Sequence, residues 1–329
     1  LEKLIKRKIH FFGDFNFSEI KNLVDSSSPS SIFVLENLRF LPGEQKNSLE
    51  LAKKLAGLGD FYVNDAFAVC HRVNASIVAI TKFLPSFAGL ELESEIKNLS
   101  QVISAKSQRF LAILGGAKIS TKLSIFNYLQ KKVELFLVGG ALANNFLVVA
   151  GYEIGKSLIE KKILPETRKL LSRKIIMPID VVVKSRKIKE VDKIDKDDII
   201  WDIGPKTVEL LSEKIKKAKI IIWNGPMGKF EEKGFEKGTK EIAKAVLKNK
   251  KAKIIIGGGE TIASLRKATS YKLPAKGEAR QRRQATRNLF ISTGGGAMLE
   301  FLSGKKLPGI AALENKGEPR PRHCLGGKH

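Results

Sequence analysis

The sequence predicts an α/β protein built on parallel sheets, and three features of the chain support this prediction. Apolar runs alternate with segments of helical periodicity, which is typical of strand–helix–strand crossovers. The apolar runs are continuous, as strands buried on both faces are. Several runs end directly in glycines, and ligands on parallel sheets bind at the carboxyl ends of the strands.

The predicted strands and helices follow one another along most of the chain. The candidate strands are Lys8–Phe12, Ser31–Leu35, Phe61–Val63, Phe110–Leu114, Leu135–Val138, Ile175–Val183, Ile220–Trp223, Ile254–Ile256 and Leu289–Ser292. The candidate helices are Ser48–Leu58, Leu90–Ile103, Thr121–Gln130, Ala141–Ala150, Lys206–Lys217, Gly234–Leu247 and Thr261–Ala268. We therefore expect right-handed crossover connections between parallel strands.

The chain of 329 residues is long enough for two domains. Proline and glycine mark a break in the segment Phe83–Gly89, and the amphipathic pattern Leu90–Ile103 that follows is suited to connect two domains. We predict an N-terminal domain over residues 1–88, a connecting hinge helix over 89–104, a C-terminal domain over 105–300, and a C-terminal segment and tail over 301–329.

The formal net charge of +25 indicates either an anionic ligand or a basic, solvated surface. The lysines are scattered over helical segments. Binding to single-stranded nucleic acid requires basic residues interleaved with aromatic ones, and the sequence does not show that pattern. We therefore expect a polyanionic small-molecule ligand and no nucleic acid. A basic nucleic-acid-binding protein is the alternative from another class.

The sequence also bears on the cellular compartment. No apolar run approaches the roughly 18 residues of a membrane span, and the first residues lack the apolar core of a signal peptide. Cys70 and Cys324 are the two cysteines, so a disulfide framework is not expected. We predict a reducing, cytoplasmic location and no membrane partner.

One short segment, Gly115-Gly116-Ala117-Lys118 with Lys122 four residues later, has the features of an anion site. It joins an apolar run to a helical pattern, and the N–H groups and dipole at a helix N-terminus favour negative charge. Lysines four residues apart would face the same anion. A tight turn with two solvated lysines is the alternative. The chain has no G-x-x-x-x-G-K-[ST] and no G-x-G-x-x-G, which argues against the two common phosphate loops.

The same form, an apolar run that ends in glycine, recurs along the chain. It is found at Gly139-Gly140, at Asn224-Gly225-Pro226, at Gly257-Gly258-Gly259 and at Gly294-Gly295-Gly296. Glycine turns gathered at one edge of a sheet would let a flat or polyanionic ligand approach the backbone closely. This repetition favours a phosphate-bearing ligand over an isolated structural turn.

These motifs and their order resemble the phosphoglycerate kinase family. The matches include Leu-Glu-Asn-Leu-Arg-Phe at 35–40, Gly-Gly-Ala-Lys at 115–118, Trp-Asn-Gly-Pro at 223–226 and Gly-Gly-Gly-Glu-Thr at 257–261. Further matches are residues 62–67, 71–72, 151–155, 202–207, 292–297 and 300–309. Each segment alone is a weak signal, whereas the ordered set covers most of the chain and is highly specific.

The resemblance implies two Rossmann-like parallel-sheet domains joined by a hinge helix, the N-terminal one truncated in this chain. It implies reversible phosphoryl transfer between 1,3-bisphosphoglycerate and ADP, giving 3-phosphoglycerate and ATP in glycolysis. ADP or ATP would bind with Mg²⁺ on the C-terminal domain and the phosphoglycerate on the N-terminal domain. The protein would be a monomer.

The resemblance also implies roles for individual residues. The acid substrate would bind Arg39, His71 and Arg72. The nucleotide would bind Gly115, Gly116, Lys118, Lys122, Gly139, Gly140, Asn224, Pro226, Glu231, Gly258, Gly259, Glu260 and Thr261. The catalytic residues would be Lys118, Gly259, Gly295 and Gly296. Lys118 would follow the transferred phosphoryl group, the amides at Gly294–Gly296 would stabilise the transition state, and Glu260 would ligate the metal.

Three departures from the family pattern qualify these expectations. The family's opening Asp-x-Asn strand and Ser-His-Leu-Gly-Arg segment are not found, so we expect an N-terminally incomplete copy of a longer enzyme. Glu260 stands where the family usually has an aspartate, which changes the geometry of ligation. The segment Lys272–Arg287 is interpreted as an insertion. Because substrate residues are missing, a nucleotide-binding remnant without transferase activity is the alternative.

Overall fold

The computed structural model describes residues 1–105, 109–268 and 288–314. The strands are β1 His10–Phe12, β2 Phe33–Leu35, β3 Tyr62–Asn64, β4 Ser86–Ala88, β5 Phe110–Leu114, β6 Leu135–Val138, β7 Ile175–Ile176, β8 Asp180–Val183, β9 Ile188–Glu190, β10 Ile200–Ile203, β11 Ile220–Asn224, β12 Lys253–Gly257 and β13 Leu289–Ser292. The helices are α1 Glu2–Ile5, α2 Phe17–Ser26, α3 Pro42–Gln45, α4 Leu49–Ala56, α5 Leu90–Ile103, α6 Leu123–Leu129, α7 Gly140–Val149, α8 Leu164–Leu170, α9 Pro205–Lys217, α10 Lys237–Lys248, α11 Gly259–Ala268, α12 Gly295–Leu302 and α13 Pro308–Glu314. The predicted insertion Lys272–Arg287 and the tail beyond Glu314 fall outside the described residues.

The chain divides into two compact units. The first unit contains Leu1–Ser94 and the described residues from Lys306 onward, and the second unit contains Glu95–Lys305. The division falls inside α5, the helix that the sequence predicts as the connector. Helix α13 belongs to the first unit, where the amide of Gly309 donates to the carbonyl oxygen of Cys70 at 2.8 Å.

A six-stranded parallel sheet with the order β13-β12-β11-β5-β6-β7 forms the second unit. The strands are continuous apolar runs, and every residue of β5 and of β11 is buried. Such runs form strands that are covered on both faces by helices. The predicted α/β class with parallel sheets is therefore confirmed.

Alternate residues of each strand pack into separate cores on the two faces of this sheet. On one face Trp223, fully buried, packs with residues of α9 and α10 such as Leu211 and Ile242. On the other face the rings of Phe126, Phe136 and Phe146 form a buried aromatic group, with Phe126 4.8 Å from Phe136 and 5.5 Å from Phe146 between ring centroids. The sheet is thus held between two dry layers, each of which buries large side chains.

A three-stranded antiparallel sheet with the order β10-β8-β9 is attached to the second unit. The sequence analysis predicted one strand over Ile175–Val183, whereas the structure has two strands in two different sheets. Pro178 lies between them, and proline has no N–H to continue a ladder. The short strands β4, β9 and β10 were not predicted, because each contains polar residues or is too short to show a pattern.

The first unit has two separate two-stranded parallel sheets, β1-β2 and β3-β4. Its core is a cluster that includes Leu51, Leu55 and Ile80, and partly buried residues such as Tyr62 pack against it. Phe61 and Phe87, on and beside the second of these sheets, remain 63% and 56% exposed. Within the described ranges, no helix is both long and apolar enough to cross a membrane.

Candidate nucleotide site

The glycine turns that the sequence singled out follow adjacent strands of the six-stranded sheet. Gly115 follows β5, Gly139 follows β6, and Gly225, Gly258 and Gly294 follow at the ends of β11, β12 and β13. All these strands are parallel, so the turns lie at one edge. The chain goes from β5 to β6 on one side and reaches β11 on the other, which makes the β5–β11 border the switch point where such sheets bind ligands.

Two of these turns touch backbone to backbone at the switch point. The amide of Gly115 donates to the carbonyl oxygen of Asn224 at 3.0 Å, and the amide of Gly116 donates to that of Pro226 at 2.8 Å. A Cβ atom at Gly115 would collide with the Pro226 carbonyl, and one at Gly225 would collide with Gly115. Gly225 also has a φ of 98°, a left-handed conformation that favours glycine. The absence of side chains here is therefore a packing requirement.

Beside this contact lies a cavity of about 400 Å³ within the second unit. The predicted residues that line it are Gly116, Gly140, Pro226, Glu231 and Glu260. The amide of Gly140 donates to the Met227 carbonyl at 2.7 Å, which joins the start of α7 to the same edge. The structure thus brings five of the predicted nucleotide residues together around one opening.

Lys122 is the buried cation of the site. It is 8% exposed, and a Cβ atom placed on Gly116 would lie 3.7 Å from both its Nζ and the Glu260 Oε2. Burial lowers the pKa of Lys122, while the nearby carboxylates of Glu260 and Glu160 oppose that effect. An ammonium held in a partly dry site beside these two carboxylates is suited to bind a phosphate group.

Lys118, by contrast, is exposed and lies one turn before Lys122. Its carbonyl accepts a hydrogen bond from the Thr121 hydroxyl at 3.0 Å, in the 3-10 turn that leads into α6. Its side chain therefore has solvent around it while its backbone is fixed.

Asn224 and Thr261 do not line the cavity. The Asn224 amide nitrogen donates to the Gly257 carbonyl at 2.8 Å, and the Gly225 amide donates to the Thr261 hydroxyl at 2.6 Å. Both side chains are buried. They tie the end of β11 to the end of β12 and to the start of α11. Gly258 lies in the turn between β12 and α11 and has a φ of 98°.

Gly259 and Gly295 begin the helices α11 and α12, and Gly296 is the next residue of α12. These helices follow the neighbouring strands β12 and β13. Gly259 and Gly295 have open space where a Cβ would be. Their amides, at helix N-termini, are among those without an intrahelical partner, so they are available to an anion.

Arg39, His71 and Arg72 belong to the first unit. Arg39 lies in the 3-10 turn Leu38–Phe40 and its amide donates to Asn37 Oδ1 at 3.1 Å. Both arginine side chains are exposed, whereas His71 is half-buried and its Nδ1 is buried without a hydrogen-bond partner. The arginines are therefore accessible to an acidic ligand.

The opposite wall of the cavity was missed by the sequence analysis. It is apolar and comes from α7, from the antiparallel sheet and from loop residues outside these elements. The residues that line it are Ala143, Leu147, Leu158, Pro178, Val181, Ile199, Ile200 and Trp201. The Lys229 ammonium lies 4.2 Å from the centroid of the Trp201 ring, a cation–π contact at the edge of the opening. The unpredicted strand β10 supplies part of this wall, and its run Ile199-Ile200-Trp201 was the available signal.

Asp202 also lines the cavity, and its pKa is strongly shifted. It is 2% exposed, and its carboxylate accepts hydrogen bonds from the amides of Gly238 at 2.7 Å and Ile203 at 2.9 Å. Burial raises its pKa to about 7, although these two hydrogen bonds oppose the rise. The contact with Gly238 holds the first turn of α10 against β10.

Glu260 is the residue here that fits a magnesium ion. Among the residues that the structure describes, no group of three or more His, Cys, Asp or Glu side chains is placed to hold a metal. Mg²⁺ at nucleotide sites usually takes one or two carboxylates together with phosphate oxygens and water. Glu260 supplies one exposed carboxylate that lines the cavity near Lys122, which satisfies that requirement.

Comparison with known proteins agrees with this architecture. The sequence profile described as phosphoglycerate kinase matches residues 1–305. The phosphoglycerate kinase of Dictyoglomus turgidum is 41% identical over 329 residues, which cover 96% of this chain and 80% of the relative. That of Desulfovibrio desulfuricans is 42% identical over 304 residues, covering 88% of this chain and 74% of the relative.

Solved structures give the same result. The phosphoglycerate kinase from Coxiella burnetii superposes with a TM-score of 0.77 at 34% identity, covering 95% of this chain and 79% of that one. The enzyme from Pyrococcus horikoshii gives a TM-score of 0.79 at 31% identity, covering 95% and 80% of the two chains. The chain therefore belongs to the phosphoglycerate kinase family, whose members are nucleotide-binding phosphotransferases of glycolysis.

Proposed function

We propose that this chain catalyses reversible phosphoryl transfer between 1,3-bisphosphoglycerate and ADP, giving 3-phosphoglycerate and ATP. The observation that supports it most is the glycine-backed cavity, which Glu260 lines and beside which Lys122 is buried close to Gly116. The apolar wall around Trp201 would take the base, Glu231 the ribose hydroxyls, and the turn with Lys122 the phosphates. The exposed arginines Arg39 and Arg72 of the first unit would bind the acid.

The protein's part in this reaction is positioning and stabilisation of charge. Lys118, with its exposed side chain, would meet the transferring phosphoryl group, and its interaction would strengthen as charge moves onto those oxygens. The amides at Gly259, Gly295 and Gly296 would donate to the same group. Glu260 would hold Mg²⁺ with the nucleotide, and that ion would neutralise phosphate charge when bound.

Several parts of the proposal go beyond the family assignment. We infer a monomer, a cytoplasmic location, and neither nucleic acid nor membrane among the partners, as the sequence predicts. The alternative of a nucleotide-binding remnant is not favoured, since relatives that are 41% and 42% identical over most of the chain carry the name phosphoglycerate kinase.

The test is an enzyme assay joined to a binding measurement. Purified chain would be supplied with 3-phosphoglycerate and Mg-ATP, and ADP formation followed through a coupled enzyme, with Lys118→Ala as the matched control. Turnover that depends on both substrates supports the proposal. Calorimetric binding of Mg-ADP by a folded sample without any turnover would favour the remnant, and neither binding nor turnover would overturn the nucleotide site itself.

A further inference from the structure

Glu160 enters the site described above only through its charge near Lys122, yet it also forms hydrogen bonds to the turn that carries both lysines. We define the lysine turn as residues 118–122. The Ser120 amide donates to Glu160 Oε2 at 2.9 Å, and the Ser120 hydroxyl donates to Glu160 Oε1 at 2.6 Å. One carboxylate thus accepts two hydrogen bonds from the residue midway between Lys118 and Lys122.

The charges around Glu160 point to the same turn. Burial would raise the pKa of Glu160, but the hydrogen bonds from Ser120, a further one from the Ile119 amide and the charge of Lys118 outweigh it and hold that pKa below its ordinary value. Glu160 in turn is one of the two carboxylates that act on Lys122. It is therefore ionised at neutral pH and is electrostatically coupled to both lysines.

Glu160 is itself fixed from the other side by α7. Asn145 Nδ2 donates to the Glu160 carbonyl at 3.1 Å, and the Glu160 amide donates to Asn145 Oδ1 at 3.3 Å. The neighbouring Asn144 donates to the Leu158 carbonyl at 3.0 Å. Asn145 is 1% exposed and lies in the helix that starts at Gly140, at the cavity. Helix α7 thus fixes the backbone of Glu160 through Asn145, and the Glu160 side chain in turn contacts the lysine turn.

We propose that Glu160 is a positioning residue: through its two hydrogen bonds to Ser120 it fixes the position of the lysine turn relative to the nucleotide cavity. This inference rests on the proposed function for its catalytic consequence, and on the contacts alone for its structural one. A carboxylate near bound phosphates is electrostatically unfavourable, so its presence there is explained by the geometry that it imposes.

Two variants separate geometry from charge. Glu160→Ala removes both hydrogen bonds. Glu160→Gln removes the charge but keeps one acceptor oxygen for the Ser120 amide, and its NH2 group can donate to the Ser120 hydroxyl, so both contacts can be retained. Glu166→Ala, an exposed acid on the next helix, is the matched control. Backbone hydrogen exchange over residues 118–123 and steady-state kinetics would be measured on each full-length protein.

We expect Glu160→Ala to speed exchange of the lysine turn and to lower kcat by roughly tenfold, since a misplacement of about 1 Å can cost as much as 10²-fold. The KM for 3-phosphoglycerate should stay within about twofold, because the acid-binding arginines lie in the first unit. Glu160→Gln should recover most of the lost kcat, and Ser120→Ala, which removes one of the two hydrogen bonds, should fall between.

Unchanged exchange of the lysine turn in Glu160→Ala would overturn the inference, and so would a Glu160→Gln variant as impaired as Glu160→Ala. If Glu160→Ala does not fold, Glu160→Gln and Ser120→Ala still decide the matter. A parent protein without turnover would refute the proposed function, while the exchange measurement would continue to test whether Glu160 holds the turn.

Discussion

The two units of this chain contain similar apolar strands but bury them to very different extents. In the second unit β5, β6, β11 and β12 have neighbours on both sides, and large side chains such as Trp223 and Phe126 are fully buried. In the first unit each sheet has two strands, and Phe61 and Phe87 are more than half exposed. The larger number of strands thus makes the second unit a rigid frame for the site. The two-stranded sheets of the first unit have unpaired edges, and such edges are prone to local opening and to association.

The largest effect should come from the same substitution made in both units. Leu137→Ala in β6 removes a fully buried side chain and should cost about 2–5 kcal/mol, whereas Leu35→Ala in β2 removes a partly buried one and should cost about 1 kcal/mol. Native-state hydrogen exchange, read separately over each unit, measures both costs without assuming a single transition. Equal costs would break the comparison.

Next in size is the kinetic effect of Lys118→Ala. Because this side chain is expected to act on charge that develops in the transition state, its loss should lower kcat on the order of 10²–10³-fold and leave Mg-ADP affinity nearly intact. Arg39→Ala in the first unit should instead raise the KM for the acid substrate. Steady-state kinetics of both variants measure this division of labour, and a raised nucleotide KM with normal kcat in Lys118→Ala would contradict it.

Mg-ADP should then stabilise one unit selectively. A ligand at about 100 times its Kd stabilises the state that binds it by about 2.7 kcal/mol. We expect slower hydrogen exchange around β5, β6 and β11 in its presence, and little change in β1 and β3. Omission of magnesium provides the control. Equal protection of both units would show that the nucleotide does not act on the second unit alone.

The next effect, smaller when counted per pH unit, concerns Asp202. Burial raises the pKa of Asp202 from 3.8 to about 7, so the native state keeps a proton that the unfolded chain has released. The associated stabilisation is fully present below about pH 4 and is lost as the pH rises towards 7. Relative to Asp202→Asn, the wild type should therefore lose roughly 1.4 kcal/mol per pH unit in this window. Exchange or urea unfolding at about pH 4.5 and about pH 7 tests this, and a difference that is independent of pH would refute it.

The smallest effect on stability should come from Phe87→Ser in the first unit. The ring lies edge-on to Phe61 at 6.4 Å and is half exposed, so its loss should cost about 0.5–1.5 kcal/mol. The variant should nevertheless aggregate less, because the exposed aromatic face of β3-β4 is reduced. Light scattering against protein concentration measures this, with Phe40→Ser, another exposed ring, as the comparison.

The sequence predicted the structure best where a segment consists of one kind of residue, either an apolar run or a pair of glycines. Strands β5, β6 and β13 were predicted with the observed bounds, because each is an unbroken apolar run. The glycine turns were found because backbone contacts such as Gly115 with Gly225 exclude other residues. The roles predicted for Arg39, Glu231 and Glu260 remain predictions.

Other parts of the site could not be predicted, since they depend on contacts between distant segments. The split of residues 175–183 into two sheets follows from Pro178 but also needs β10 as a partner for β8. Glu160 is 40 positions from Ser120 in the chain, and an isolated glutamate gives no local signal of such a contact. The apolar wall around Trp201 likewise combines residues of α7 with residues of β8 and β10, which are more than 30 positions away in the chain.

The antiparallel sheet has a consequence for how this family can diversify. The chain enters it at Asp180 and leaves it at Ile203, and these ends are adjacent: Val181 pairs with Ile203, and the Gly204 amide donates to the Asp180 carbonyl at 2.9 Å. A segment with neighbouring ends can be exchanged like a cassette without altering the strands around it. This cassette contributes Val181, Ile199, Ile200 and Trp201 to the apolar wall and contains none of the glycine turns. Recombination within it would therefore change the shape of the cavity while the glycine-rich edge of the sheet is inherited unaltered.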